Sequence, residues 1–229
     1  MKHIQRKSVK GDSPGPRTPL SRERVLRAAI DLADRDGIDS LSMRNLGQEV
    51  GVEAMSLYNH VRNKEDILNG MVDVVFSEID MPSSPADWVD AMRQRAISAR
   101  QVLLRHPWAI GLMESRAQPG PATLKHHDAV LRNLRTAGFS VEMAAHAYSV
   151  LDSYTYGFTL NELSLPFDNS GQIAEVAGNI FRESPMNEYP HLAEMAIERA
   201  MQPGYDYGDE FEFGLDLILD GLRRAQDRA

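Results

Sequence analysis

The sequence predicts an all-α protein, built as a small helical head followed by a larger helical body. Three observations carry this. Apolar residues recur at helical rather than alternating spacing from Val25 onward, Ser and Asn caps and Gly or Pro stops punctuate them at helix-length intervals, and charge is divided unequally along the chain. Residues 1–62 carry 11 Lys+Arg against 8 Asp+Glu, a balance of +3, whereas residues 63–229 carry 14 against 25, a balance of −11. A basic head on an acidic body admits a polyanion at one end and repels it elsewhere.

The first twenty residues, with "GDSPGP" and five basic side chains, have no apolar periodicity and are expected to form a flexible basic arm. Ser21 is a good N-cap, flanked by Leu20 and Val25 as a hydrophobic staple. Val25, Leu26, Ala29, Leu32 and Ala33 then repeat at helical spacing until Gly37 stops the first helix. Leu41 and Leu46 bracket Ser42 in the same way for a second helix that ends at Gly51. A third is expected at about 54–60. Asn63 caps a fourth, with Glu65 and Asp66 in the first turn where the helix dipole favours negative charge, running to about Asp80. After a linker turn at "MPSSP", helices are expected at about 85–105, 107–116, 120–137, 140–164, 170–182, 188–201 and 207–226. Pro107, Gly138, Pro166, Pro185 and two "QPG" runs divide them. The chain thus divides into an arm (1–20), a head (21–66) and a body (67–229).

Several function classes drop out. With no cysteine there are no disulfides, thiolate zinc sites or cysteine nucleophile. No stretch approaches the roughly 18 apolar residues of a membrane span, and the N-terminus lacks a secretory core, so a cytoplasmic location with no membrane partner is expected. His126, His127 and Asp128 stand together, but consecutive helix residues point about 100° apart and do not converge. There is no Gly-rich phosphate loop, H-E-x-x-H or G-x-S-x-G. No catalytic residue, cofactor or metal is therefore expected, and the protein is not read as an enzyme.

The stretch "GVEAMSLYNHVRNKEDIL" (51–68) crowds Tyr58, Asn59, His60, Arg62 and Lys64 into seven positions, with Leu57 and Val61 to anchor them. Two short helices joined by a glycine turn, here Gly51, form a helix-turn-helix, whose second helix enters the major groove of double-stranded DNA. Gly47 leaves room where the second and third helices cross. The segment "RVLRAAIDLADRDGIDSLSMRNLGQEVGVEAMSLYNHVRNKEDIL" (24–68) resembles the DNA-binding domain of the TetR family of bacterial repressors. "LDSYTYGFTLNELSLPF" (151–167) and "FEFGLDLILDGL" (211–222) resemble the C-terminal domain of the branch that includes the tetracycline repressor. The resemblance implies an N-terminal three-helix DNA-binding domain, a larger ligand-binding and dimerisation domain, and a regulator that binds a palindromic operator as a homodimer.

Carried over by position, the family pattern implies that Tyr58, His60 and Lys64 touch phosphates, helped by Ser42 and Ser56. Arg44, Ala54, Met55 and Ser56 are the candidate base readers. Arg44 suits guanine O6 and N7, whereas Ala54 and Met55 offer only apolar contact, for instance to a thymine methyl. Two departures stand out: many members have alanine at the position of Gly47, and serine or threonine at that of Glu53, so the third helix lacks a hydroxyl cap. Arg62 is read as a solvated charge.

In the body, "SVEMAAHAYSVLDSYTYGFTLNELSL" has an apolar face including Leu151 and Phe158, and Gly157 permits close helix approach. "FEFGLDLILDGL" offers Leu215, Leu219 and Leu222. The resemblance pairs these helices with their copies in a four-helix interface; the alternative is an internal core. Met92, His106, Trp108, Met113, His126, His127, Tyr148 and Asp152 mix apolar, aromatic and polar groups as an effector pocket does, although core packing accounts equally well for Trp108 or Tyr148. The expected effector is small, apolar and ringed. The alternative function is a ligand-independent dimeric DNA-binding regulator or scaffold.

Overall fold

The structure, a computed structural model, describes residues 19–82, 87–113, 115, 118–166 and 170–227. The expected arm lies outside the described residues except for its last two. Among the described residues there is no strand, and no helix is long and apolar enough to cross a membrane. The helices are α1 (Arg22–Asp36), α2 (Met43–Val50), α3 (Ala54–Leu57), α4 (Lys64–Glu78), α5 (Trp88–Arg105), α6 (Ile110–Met113), α7 (Pro121–Thr136), α8 (Val141–Leu163), α9 (Ser170–Glu183), α10 (Pro190–Met195) and α11 (Asp209–Gln226).

Local chemistry sets the head's boundaries. Ser21 Oγ accepts from the Arg24 amide at 3.2 Å, Ser42 Oγ from the Asn45 amide at 3.1 Å, and Asn63 Oδ1 from the Asp66 amide at 2.8 Å, each matching a donor that the first helical turn leaves unpaired. Gly51 takes the left-handed conformation (φ +73°) between α2 and α3. A Cβ on Gly47 would lie 2.9 Å from the Val52 carbonyl oxygen, so the glycine is what lets α2 meet the start of α3 this closely.

Three expected helices differ. α3 stops at Leu57 rather than about residue 60, because the His60 and Val61 amides both turn back to the Leu57 carbonyl and the chain then opens to the extended Asn63 cap. Glu53 supplies no side-chain cap, so nothing reinforces α3 at its start. The helix expected at 107–116 begins as a tight turn over Pro107–Ala109 and continues as α6 to Met113, with positions 114 and 116 outside the described residues. The one expected at 188–201 is broken into a tight turn (Met186–Glu188), α10 and a wide turn (Ala196–Ala200). Pro190, which has no amide hydrogen, opens α10 at its first position.

The boundary expected between residues 66 and 67 falls inside α4. Its head end is tied to α1 by Arg22 and Asp66 at 2.8 Å, and its middle to α7, where Asp73 accepts from the Thr123 amide and hydroxyl at 2.8 and 3.0 Å. One apolar core runs from Val25, Leu46, Leu57 and Val61 through Met71 and Val75 of α4 to Val102, Leu103, Trp108 and Met113. A second lies among α5, α7, α8 and α11, around Trp88, Met92, Phe139, Leu151, Phe211 and Leu215. Head and body therefore share a hydrophobic core across α4.

Candidate DNA-contacting face and the polar interior of the body

Buried Leu57 and Val61 hold the short α3 turn against the head core and turn its other side chains outward. Met55 is 75% exposed and Tyr58 46%, while Arg44 on α2 and Lys64 at the first position of α4 are also exposed. Ala54, Ser56 and His60 are half-buried. Ser42 is half-buried as well, its oxygen occupied by the cap. Among the described residues, no side-chain hydrogen bond or ion pair engages Arg44, Tyr58, His60 or Lys64. A surface of N–H and O–H donors without internal partners is what phosphates and base edges require.

Arg62, expected as a solvated charge, is exposed and also contacts Asp66. Its amide donates to Asp66 Oδ2 at 2.9 Å and its guanidinium to Oδ1 at 3.3 Å, while Arg22 grips the same carboxylate at 2.8 and 3.0 Å. The Arg22 bonds, opposed by burial and reinforced by Arg62, hold the Asp66 carboxyl well below the usual carboxylate range. The Arg62 side chain is still 75% exposed, so its charge is largely solvated, and it is the backbone amide that ties the turn to Asp66.

Two residues expected in the effector pocket lie instead at the joint between head and body. His106 Nδ1 sits 2.9 Å from both oxygens of Asp34 on α1, and its Nε2 is 3.3 Å from Glu78 at the end of α4. The Trp108 indole donates to Asp34 at 2.6 Å. Both polar groups are taken up by carboxylates of the chain itself, as buried polar groups generally are, so neither is left to orient a ligand. Met92 is likewise corrected: it is fully buried in the second core. Asp34 was missed because an aspartate among helical polar residues carries no local sign of a distant partner.

The remaining pocket candidates do come together. Met113 and His127 line a recess of roughly 140 Å³ with Asn69, Val72, Gly120 and Thr123. The His127 ring meets Phe76 at 5.2 Å and Tyr148 at 5.4 Å, both nearly edge-on, and His126 meets Phe76 at 5.6 Å. Behind them Arg95, only 1% exposed, pairs with Asp152 at 2.5 Å and donates from Nε to His126 Nε2 at 3.0 Å. The Tyr156 hydroxyl donates to the other Asp152 oxygen at 3.3 Å. Burial, then the Arg95 charge, then His127, push His126 down to about 3, so it is neutral at ordinary pH. Sequence reasoning missed Arg95, yet a signal existed: it follows Met92 by three positions and precedes Ala99 by four, a lone charge on an apolar stripe.

The expected interface residues also require correction. Leu151, Leu215, Leu219 and Leu222 are buried within the chain's own second core, and the half-buried Phe158 stacks on Tyr207 at 5.0 Å and packs against Phe211 at 5.2 Å. A side chain buried inside one chain is not available to a second copy. Gly157, by contrast, is exposed. The same helices turn Val150 and Leu160 of α8, and Phe213 and Leu217 of α11, to the outside, the last two 66% and 58% exposed. α8 is apolar on opposite sides, so helical spacing alone does not distinguish its inner face from its outer one.

Comparison with known proteins follows the same division. Residues 25–71 match the family described as bacterial regulatory proteins, tetR family, and residues 81–225 match the tetracyclin repressor-like C-terminal domain. The chain is 31% identical to the HTH-type transcriptional repressor DrrR1 of Streptomyces coeruleorubidus, over 92% of this chain and 80% of that protein. It is 31% identical to the tetracycline repressor protein class A from transposon 1721 of Escherichia coli, over 91% and 93%. Among solved structures, ActR of Streptomyces coelicolor in complex with actinorhodin superposes with a TM-score of 0.74 at 27% identity, covering 91% of this chain and 99% of that one.

Proposed function

The chain belongs to the TetR family of bacterial transcriptional regulators, and we propose that it is a repressor that binds a palindromic operator as a homodimer and leaves it when a small, ringed effector enters the body. The observation that carries the DNA assignment is the outward set Arg44, Met55, Tyr58 and Lys64, held over buried Leu57 and Val61 and without internal partners among the described residues. One such face covers a few base pairs, so two copies with faces about 34 Å apart are required for an operator. Val150, Gly157 and Leu160 on α8, with Phe213 and Leu217 on α11, supply the self-complementary apolar surface in place of the leucines behind them.

The effector acts by preferring one spacing of the two heads, since equal affinity for both arrangements shifts nothing. The shared core across α4 and the Asp34–His106–Trp108 joint are the physical links from recess to head. Solid packing of Met92, His106 and Trp108 favours the second reading, a ligand-independent regulator. The recess beside Met113 and His127 favours the first. Selection of duplexes from a random pool, followed by retention assays across salt, tests the proposal. A palindrome should emerge whose binding weakens steeply as salt rises. Failure to retain any duplex at low salt overturns it.

A further inference from the structure

We propose that Asn59 determines sequence choice at the DNA face, its side-chain amide recognising an adenine in each half-site; this rests on the reading of the head as an operator-binding domain. Asn59 is exposed, and its amide has no hydrogen-bond partner among the described residues. The cap of α4 falls to Asn63, so Asn59 is not needed there. Backbone bonds from the Asn59 amide to Ser56 at 3.4 Å and from the Val61 amide to Leu57 at 3.0 Å carry the helical winding past the end of α3. At roughly 100–120° per residue, Met55 and Asn59 both fall on the side opposite buried Leu57. Ala54, Ser56 and His60, which wind closer to Leu57, are half-buried. The pole that enters a groove deepest is therefore Met55 with Asn59, and exposed Tyr58 stands beside it, toward a groove wall where phosphates lie.

Of the two residues at that pole, Asn59 alone carries a hydrogen-bond code. Its amide oxygen accepts and its amide nitrogen donates, side by side. In the major groove adenine presents the matching pair, N7 to accept and N6 to donate. Guanine presents N7 and O6, both acceptors, so the amide oxygen would face a second oxygen or nitrogen with no proton between them. Thymine has one acceptor beside a methyl group, and cytosine one donor. Met55, four residues back on the same side, lies about 5–6 Å away, which is one or two base steps at about 3.4 Å each. Its apolar side chain suits a thymine methyl at that distance. Asn59 thus supplies on this face the donor and acceptor pattern that Ala54 and Met55 lack.

Selection of duplexes from a random pool by the full chain and by Asn59→Ala tests this, with the selected operator then remade to carry 7-deazaadenine, which lacks the N7 acceptor. The wild type should select an adenine at one position of each half-site, with a thymine one or two pairs away, and the variant should accept any base at the adenine position. On the wild-type operator the variant should bind about 5- to 150-fold less tightly for each half-site, the range of a bidentate base contact, with an unchanged salt slope and unchanged thermal melting. 7-Deazaadenine at that position should weaken the wild type several-fold and leave the variant unaffected. An equal loss on every operator sequence, an unchanged base preference in the variant, a base other than adenine at the position that Asn59→Ala relaxes, or the same penalty from 7-deazaadenine in both proteins overturns the proposal and leaves operator binding standing. If the wild type retains no duplex at low salt, the operator reading falls, and this proposal with it.

Discussion

The head and the body handle polar groups in opposite ways. Around α3, donors such as Arg44, Tyr58 and Lys64 stand in solvent without internal partners among the described residues. In the body, buried Arg95 donates to buried His126 and is ion-paired with buried Asp152. A surface for a polyanion is built from groups that the fold itself does not need, since any internal partner would have to be given up on binding. A pocket for a small molecule is built from groups that the fold holds rigidly but does not fully satisfy. The distinction separates exposed Lys64 from Arg22, whose guanidinium grips the buried Asp66 carboxylate at 2.8 and 3.0 Å.

The largest expected effect tests whether the inner and outer faces of α11 are as distinct as the burial implies. Leu219→Glu places an unpaired charge in a core position that is 0% exposed, costing several kcal/mol, and circular dichroism should show an unfolded or severely destabilised chain. Leu217→Glu, on the exposed side, should fold normally and sediment as a monomer. A folded dimer from Leu219→Glu would contradict the burial, and an unchanged dimer from Leu217→Glu would remove α11 from the interface.

Next comes Arg44→Ala, expected to lose about 1–3 kcal/mol at one base pair of each half-site and to relax preference there. A uniform loss across operator variants would make Arg44 a phosphate contact. A smaller effect concerns acid. Because the folded His126 has its affinity for protons lowered to about 3, the unfolded chain binds the proton first as pH drops below the ordinary histidine value near 6.5. Stability should therefore fall between about pH 6.5 and 3, by at most about 1.4 kcal/mol per unit, and His126→Asn should flatten that part of the melting profile. Asp66 adds loss in the same direction only below its unfolded value of 3.8. The smallest effect is Lys64→Ala, which should weaken all sequences alike and reduce the salt slope by about one.

What was legible in the sequence was local. Ser21, Ser42 and Asn63 declare themselves as caps because each bonds within three residues, and helical spacing exposes the apolar rows that become α1, α4 and α8. What was not legible depended on partners far along the chain. For Trp108 the sequence leaves ligand contact and core packing equally open, and the deciding partner, Asp34, lies 74 residues away. Leu215 and Leu219 could not be assigned inside or outside from their spacing alone, since Phe213 and Leu217 repeat just as well on the opposite side of the same helix. α3 ended early for a related reason: the need to reach the Asn63 cap outweighed the residues' own tolerance for helix.

Because α4 runs unbroken from Lys64 to Glu78, it behaves mechanically as a lever. Fifteen residues at 1.5 Å each make a rod of about 22 Å, so a tilt of about 5° at its body end would carry the head end about 2 Å. Asp73 and the recess-lining Asn69 and Val72 lie along that rod. In a dimer the displacement occurs on both sides of the symmetry axis, and the gain in spacing between the reading faces doubles. If a ligand in the recess tilts α4 in this way, the proposed operator contacts would be displaced by more than the tolerance of a hydrogen bond.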